Sequence, residues 1–214
     1  WMKSWAVAET QPAYTWLRAN PHRFSLSRIG LSFADGRPLD FAKVADTRQT
    51  LDLWSGALTS RFTYDGQPVE VVTRVHPTLD MLMVEIASPL VSSQSLGVQV
   101  RYPGVNPAIN PDPTMFQSDG DQSLNIVASD TGDVHIRRIL DDTTYYSGIT
   151  ASGKIEQSGP DAFRVAAAGR DRLTVMVRFD QQEPVEKTPA YSASVQATTA
   201  HWNSFWTQGG AVDF

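Results

Sequence analysis

Hydrophobic and polar residues alternate along most of this chain. Residues 58–64 put Leu58, Phe62 and Tyr64 on one side of an extended backbone and Thr59, Arg61 and Thr63 on the other. Asp65-Gly66 follows, a dipeptide whose glycine accepts the positive φ of a tight hairpin turn. On the return segment, 68–76, Val69, Val71 and Val75 share one face, with Glu70, Arg74 and His76 opposite, so the spacing predicts a β-hairpin. Residues 81–87 are apolar almost throughout, which predicts a more fully buried strand. Alternation returns at 96–102, 134–140 and 172–179, and shorter strands are predicted at 24–33, 124–128, 145–150 and 162–167. Turn residues separate these segments at Asp35-Gly36, Asp119-Gly120, Thr131-Gly132-Asp133, Ser152-Gly153 and Ser158-Gly159-Pro160. About ten strands at hairpin spacing, with no helices between them, call for two antiparallel sheets packed face to face. The fold class is therefore all-β, a large antiparallel β-sandwich.

Two segments break the alternation. Residues 103–113 hold four prolines and cannot form an interior strand, because proline lacks the ladder donor. A long loop on a rigid sandwich is a natural place for contacts. Near the C-terminus, Thr188-Pro189 reads as an N-cap followed by proline at the first helical position. Tyr191, Val195, Thr198, Trp202 and Phe205-Trp206 then recur near helical spacing until Gly209-Gly210. An extended pattern resumes at Ala211-Val212-Asp213-Phe214. Two roles fit this helix: a linker toward a further domain, or a terminal helix docked on its own sandwich. The division is a β-sandwich over 1–187 and a helical segment over 188–214.

Composition narrows the function classes. A chain of 214 residues can bury a substantial core as one domain. The formal charge of −5 argues against a nucleic-acid partner, since Arg137-Arg138 is the nearest thing to a basic cluster. No run approaches the ~20 apolar residues that span a bilayer, so no membrane partner is expected. Zero cysteines exclude disulfides, zinc thiolates and thiol nucleophiles. The first residues, Trp1-Met2-Lys3-Ser4-Trp5, lack the apolar stretch of a signal peptide, and the sequence is expected to start inside a longer gene product.

Candidate catalytic chemistry is sparse. A glycosidase needs two carboxylates flanking the scissile bond, and the glutamates are Glu9, Glu70, Glu85, Glu156, Glu183 and Glu186. Glu85 stands inside an apolar strand, where it is either a buried acid with a raised pKa or the partner of an arginine. Asp141-Asp142 makes a poor dyad, because neighbours on extended backbone point apart. His22, His76, His135 and His201 lack metal-ligand spacing, so neither a metal nor another cofactor is expected. Nucleophile elbows, phosphate loops and dinucleotide fingerprints are missing, and Asp119-Gly120-Asp121 reads as a turn rather than a calcium loop. Carbohydrate could stack on Trp54 or on the Tyr145-Tyr146 pair, one of which must face outward on a strand; core or domain-interface packing is the reading Trp54 suits better.

The run Arg48-Gln49-Thr50-Leu51-Asp52-Leu53-Trp54-Ser55-Gly56-Ala57-Leu58-Thr59-Ser60-Arg61-Phe62-Thr63 resembles the N-terminal sandwich of bacterial six-hairpin glycosidase-like proteins. The resemblance continues through Asp65-Gly66-Gln67-Pro68-Val69-Glu70-Val71 and His76-Pro77 to Ile86-Ala87-Ser88-Pro89-Leu90. It includes Arg18-Ala19-Asn20-Pro21-His22-Arg23-Phe24 upstream and Ala200-His201-Trp202-Asn203-Ser204-Phe205-Trp206 near the end. In architecture it is similar to glycoside hydrolase families 65 and 95. There, a galactose-mutarotase-like supersandwich is joined by a helical linker to an (α/α)6 barrel that carries both catalytic carboxylates. The resemblance thus implies a non-catalytic module of a hydrolase that packs against the barrel of the same polypeptide. It would shape the barrel's carbohydrate site, with 103–113 as the loop it lends, and it implies export to the periplasm or outside the cell. Two alternatives stay open: an autonomous carbohydrate-binding module using Trp54, Tyr145 and Tyr146, or an aldose mutarotase or epimerase using His76, His135 and Glu85.

Overall fold

The predicted hairpin is present in the computed structural model, which describes residues 12–14, 25–104, 122–140, 142–167 and 169–209. Strands β3 (Ala57–Tyr64) and β4 (Gln67–Val75) pair from Leu58↔Thr73 to Tyr64↔Gln67. Both turn residues take positive φ, 51° at Asp65 and 76° at Gly66, the geometry that matches the twist of the flanking strands.

Among the described residues, twelve strands form two antiparallel sheets. One runs β1 (Arg28–Phe33), β6 (Leu96–Arg101), β11 (Ala162–Ala166), β10 (Lys154–Gly159). The other has eight strands, in the order β2 (Val44–Asp52), β3, β4, β5 (Met81–Ala87), β12 (Arg172–Asp180), β9 (Thr143–Ala151), β8 (Asp133–Leu140), β7 (Gln122–Asp130). A short helix α1 (Pro89–Ser92) links β5 to β6, and the long helix α2 (Tyr191–Gln208) follows β12.

Period-two alternation becomes burial between the sheets. Val98, Val100, Phe163 and Val165 meet Val69, Ile86, Ile136, Ile149, Leu173, Val175 and Val177 in one core. The pairs Val175↔Ala151 and Val177↔Ile149 put the odd residues of β12 inside; the even ones, Thr174, Met176, Arg178 and Asp180, face away. Arg137 and Arg138 part for the same reason. Arg138 is fully buried, bonded to Asp161 and to the Pro103 carbonyl at 2.7 Å, while Arg137 is exposed. Tyr102 lies in the core with its hydroxyl 2.8 Å from Ser147 Oγ, and burial raises its pKa.

The outer face of the large sheet has its own apolar cluster, Met81, Met83 and Met176, covered by Leu79 and by Tyr191 of α2. Reaching that cluster explains why the helix starts later than the sequence suggests. Residues 188–190 lie outside the helix, the N-cap is Ala190 without a side-chain cap bond, and Tyr191 opens the helix. Thr188 is therefore not the cap.

Two strands escape the sequence reading. β2 is exposed along almost its whole length and β10 along most of it, each at the edge of its sheet. An edge strand that buries neither face carries no alternation to detect. The proline-rich loop lies outside the described residues from 105 onward, as do His22, the 119–121 turn, Asp141 and residues 210–214.

Candidate functional site

Trp54 sits in the turn between β2 and β3, and α2 grips that turn by its backbone. Asp52 shapes it locally: its carboxylate accepts from Trp54 N at 3.0 Å and from Ser55 Oγ at 2.5 Å, which lowers its pKa. Trp206 Nε1 donates to Leu53 O at 2.6 Å, and Asn203 Nδ2 donates to Trp54 O at 3.0 Å. Trp202 lies directly over Gly56, where a Cβ would collide with the indole and where φ is +65°. The helix end is itself an aromatic cluster, with Trp202 and Trp206 stacked at 6.4 Å and Phe205 edge-on to Trp206 at 4.9 Å.

With its backbone held, the turn presents its side chains outward. Trp54 is 53% exposed, and Leu51, Leu53, Val75 and Phe205 are comparably open at the same end of the molecule. Sequence reasoning picked out Trp54 but missed Asn203 and Trp206, which fix the turn. Their only signal is their place on the helix among the aromatics.

The adjacent tyrosines part as strand geometry requires. Tyr145 points into the sandwich, packs 6.5 Å from Phe179 and donates from its hydroxyl to Leu26 O at 2.8 Å. Burial pushes its pKa up to about 12. It offers no ring face to a ligand. Tyr146 points to the opposite face and lines a cleft of about 220 Å³ with Val127, His135, Glu183 and Pro184. A larger hollow of about 570 Å³ lies beside β1, between Arg28, Leu39, Phe41, Phe62 and Arg101, and no carboxylate or imidazole among the described residues lines it.

The residues that a mutarotase would need are not brought together. His76 follows β4, where its Nδ1 accepts from Thr78 N at 3.3 Å and Leu79 N at 3.1 Å. Burial first, then the charge of Arg178, holds its pKa below the usual histidine range. Glu85 faces outward from β5 and is ion-paired with Arg172. His135 faces outward from β8 and is held by Asp133 at 2.9 Å. Standard strand spacings put His135 about 20 Å from both Glu85 and His76, too far for one sugar ring to touch all three. Other carboxylates are engaged on the surface, Glu70 by Arg61 and Glu156 by Lys154, each at 2.6 Å. Among the described residues, no group of three or more His, Asp or Glu is placed to hold a metal ion.

No protein-family model matches the sequence, and no curated protein matches it. Solved structures do. A protein described as a kojibiose phosphorylase from the human microbiome superposes with a TM-score of 0.51 at 14% identity, over 84% of this chain and 27% of its own. A bacterial glucoamylase complexed with acarbose gives a TM-score of 0.54 at 11% identity, over 84% of this chain and 31% of its own. This chain therefore spans less than a third of either structure. At such identities the likeness establishes the fold. The chain has the two-sheet sandwich fold that its resemblance to six-hairpin glycosidase-like proteins implies.

Proposed function

We propose that this chain is the non-catalytic N-terminal module of a glycoside hydrolase, packed through α2 and the β2–β3 turn against an (α/α)6 catalytic barrel of the same polypeptide. The observation that carries this reading is the apolar surface at the end of α2. Leu51, Leu53, Trp54, Val75 and Phe205 are half exposed or more, around the C-terminal end of α2. Water-exposed aromatics on a turn that is rigidly bonded from behind make a good interface anchor, because little side-chain or loop freedom is lost on docking. Such a cluster on a soluble surface marks an interaction site more often than chance exposure does.

Two further observations support it. The described glutamates at 70, 85 and 156 are each tied to an arginine or lysine, an engagement that suits surface structure rather than glycoside hydrolysis. The chain also matches only a minor part of each structural neighbour. The carboxylates that cut a glycosidic bond then belong to the barrel, and the sandwich shapes the mouth of its carbohydrate site.

The test is a pair of substitutions, Trp54→Ala and Phe205→Ala, made both in this chain and in the longer polypeptide. In the longer protein each should lower the unfolding temperature and weaken resistance to proteolysis between the domains. In the isolated chain Trp54→Ala should be close to neutral and Phe205→Ala should lose only its contacts with Trp202 and Trp206, because both rings are already half exposed. Equal effects in the two contexts would contradict docking through this surface.

A further inference from the structure

The half of the eight-stranded sheet that lies away from the β2–β3 turn carries a second feature. Asp133 and His135 of β8 stand in register with Thr150 and Gly148 of β9, and Arg137 with Tyr146. Asp133 accepts from Thr150 Oγ1 at 2.8 Å through one oxygen and holds His135 Nε2 at 2.9 Å through the other. An imidazole clamped at Nε2 keeps Nδ1 as its remaining hydrogen-bonding atom, and its orientation is set by the carboxylate behind it. A Cβ on Gly148 would stand 3.9 Å from that Nδ1 and from Thr188 Oγ1, so the glycine leaves the edge of the imidazole uncrowded.

The chain after β12 supplies a wall. Glu183 and Pro184 close one side of the cleft, and Arg178 Nη1 secures the same segment by donating to Glu186 O at 3.3 Å. Across the strand from Tyr146, Asp180 gives one oxygen to Arg178 at 2.7 Å. Its other oxygen is buried without a hydrogen-bond partner.

These groups select a ligand class. A partly buried phenol ring offers an apolar face, and Glu183 and His135 Nδ1 offer acceptors around it. Glu183, the carboxylate that lines the cleft, disfavours phosphate or another anion. A pyranose has the matching surface, an apolar CH face ringed by hydroxyl donors. About 220 Å³ is room for one ring rather than an oligosaccharide. We propose that this cleft binds a single terminal pyranose of a neutral saccharide, stacked on Tyr146 with hydroxyls donated to His135 and Glu183. The site needs no catalytic barrel and lies across the sheet from the Trp54 surface, so it stands or falls independently of domain docking.

Calorimetry and saturation-transfer NMR on the 214-residue chain test it, with the methyl glycosides of glucose, galactose, mannose and xylose as probes and choline as a cationic control. At least one glycoside should bind in the millimolar range. Tyr146→Phe should keep that binding, and Tyr146→Ala should weaken it roughly tenfold. Gly148→Val should weaken it by crowding the His135 imidazole, with circular dichroism reporting that the sandwich is intact. If the valine variant does not fold, the two Tyr146 variants decide alone. Silence from every glycoside, or binding indifferent to Tyr146→Ala, overturns the proposal. Choline binding in preference to the sugars overturns the ligand class. Trp54→Ala should leave glycoside binding unchanged, which separates this site from the docking surface.

Discussion

Arg138 is the least expected residue of the interior, a guanidinium with no solvent exposure in an otherwise apolar sandwich. It is bonded to Asp161 and the Pro103 carbonyl and sits 5.9 Å from the centre of the Tyr102 ring. Breaking a buried pair from the anionic side leaves a cation without its counter-charge, whereas removing the cation removes the problem. Asp161→Ala should therefore cost about 2–3 kcal/mol and Arg138→Met distinctly less, read from urea midpoints at constant slope. Equal costs would mean that packing, not charge, governs the site. His76 gives a pH-dependent counterpart. Its Nδ1 is an acceptor for two backbone N–H groups, and its pKa is held below the usual 6.5. The unfolded chain then takes up this proton at a higher pH than the folded one. Its contribution to stability is complete above about pH 6.5 and is lost as pH falls through the unfolded value toward the folded one. His76→Asn, which keeps an acceptor but cannot titrate there, should flatten that part of the stability profile. An unchanged profile would assign the acid sensitivity to other groups.

At the scale of elements, what the sequence makes legible depends on which faces are covered. The β3–β4 hairpin, β5, β6, β8 and β12 each bury a face, so alternation locates them; β2 and β10 bury neither and leave no trace. The parity of Tyr145 and Tyr146 is readable, but which of the two looks inward depends on a sheet that a local window does not contain. The α2 helix shows the same limit. Its aromatics announce a docking face, yet the residues it buries completely are Ser194 and Thr198. Small side chains there let the helix lie close to the sheet, and Thr198 Oγ1 reaches the Val75 carbonyl at 3.3 Å. The aromatics instead crowd the helix end, where Gly56 leaves room for Trp202. Gly56→Ala adds a Cβ at positive φ and against that indole, an expected loss of about 1–3 kcal/mol. Hydrogen exchange should quicken in the last turns of α2 while the central strands stay protected. Uniform exchange across both would show that the helix and turn are not a local unit.

At the scale of the whole molecule, the two sheets do different work. The four-stranded sheet closes the core. The eight-stranded sheet uses its inner face for that core and its outer face for two other tasks, seating α2 over the methionine cluster and forming the Tyr146 cleft. The α2 seat ends in exposed aromatics, and the molecule has the sandwich fold found in part of two much longer structures. On the function proposed above, the module holds a further domain and leaves bond cleavage to it, so the isolated chain should show no glycosidase or phosphorylase activity. The length of the native gene product tests this most directly, by intact mass or by reading the coding sequence beyond Phe214. The account requires several hundred further residues with the periodicity of paired helices. A stop codon directly after Phe214 would contradict it and leave a free-standing sandwich, with the Tyr146 cleft as its site.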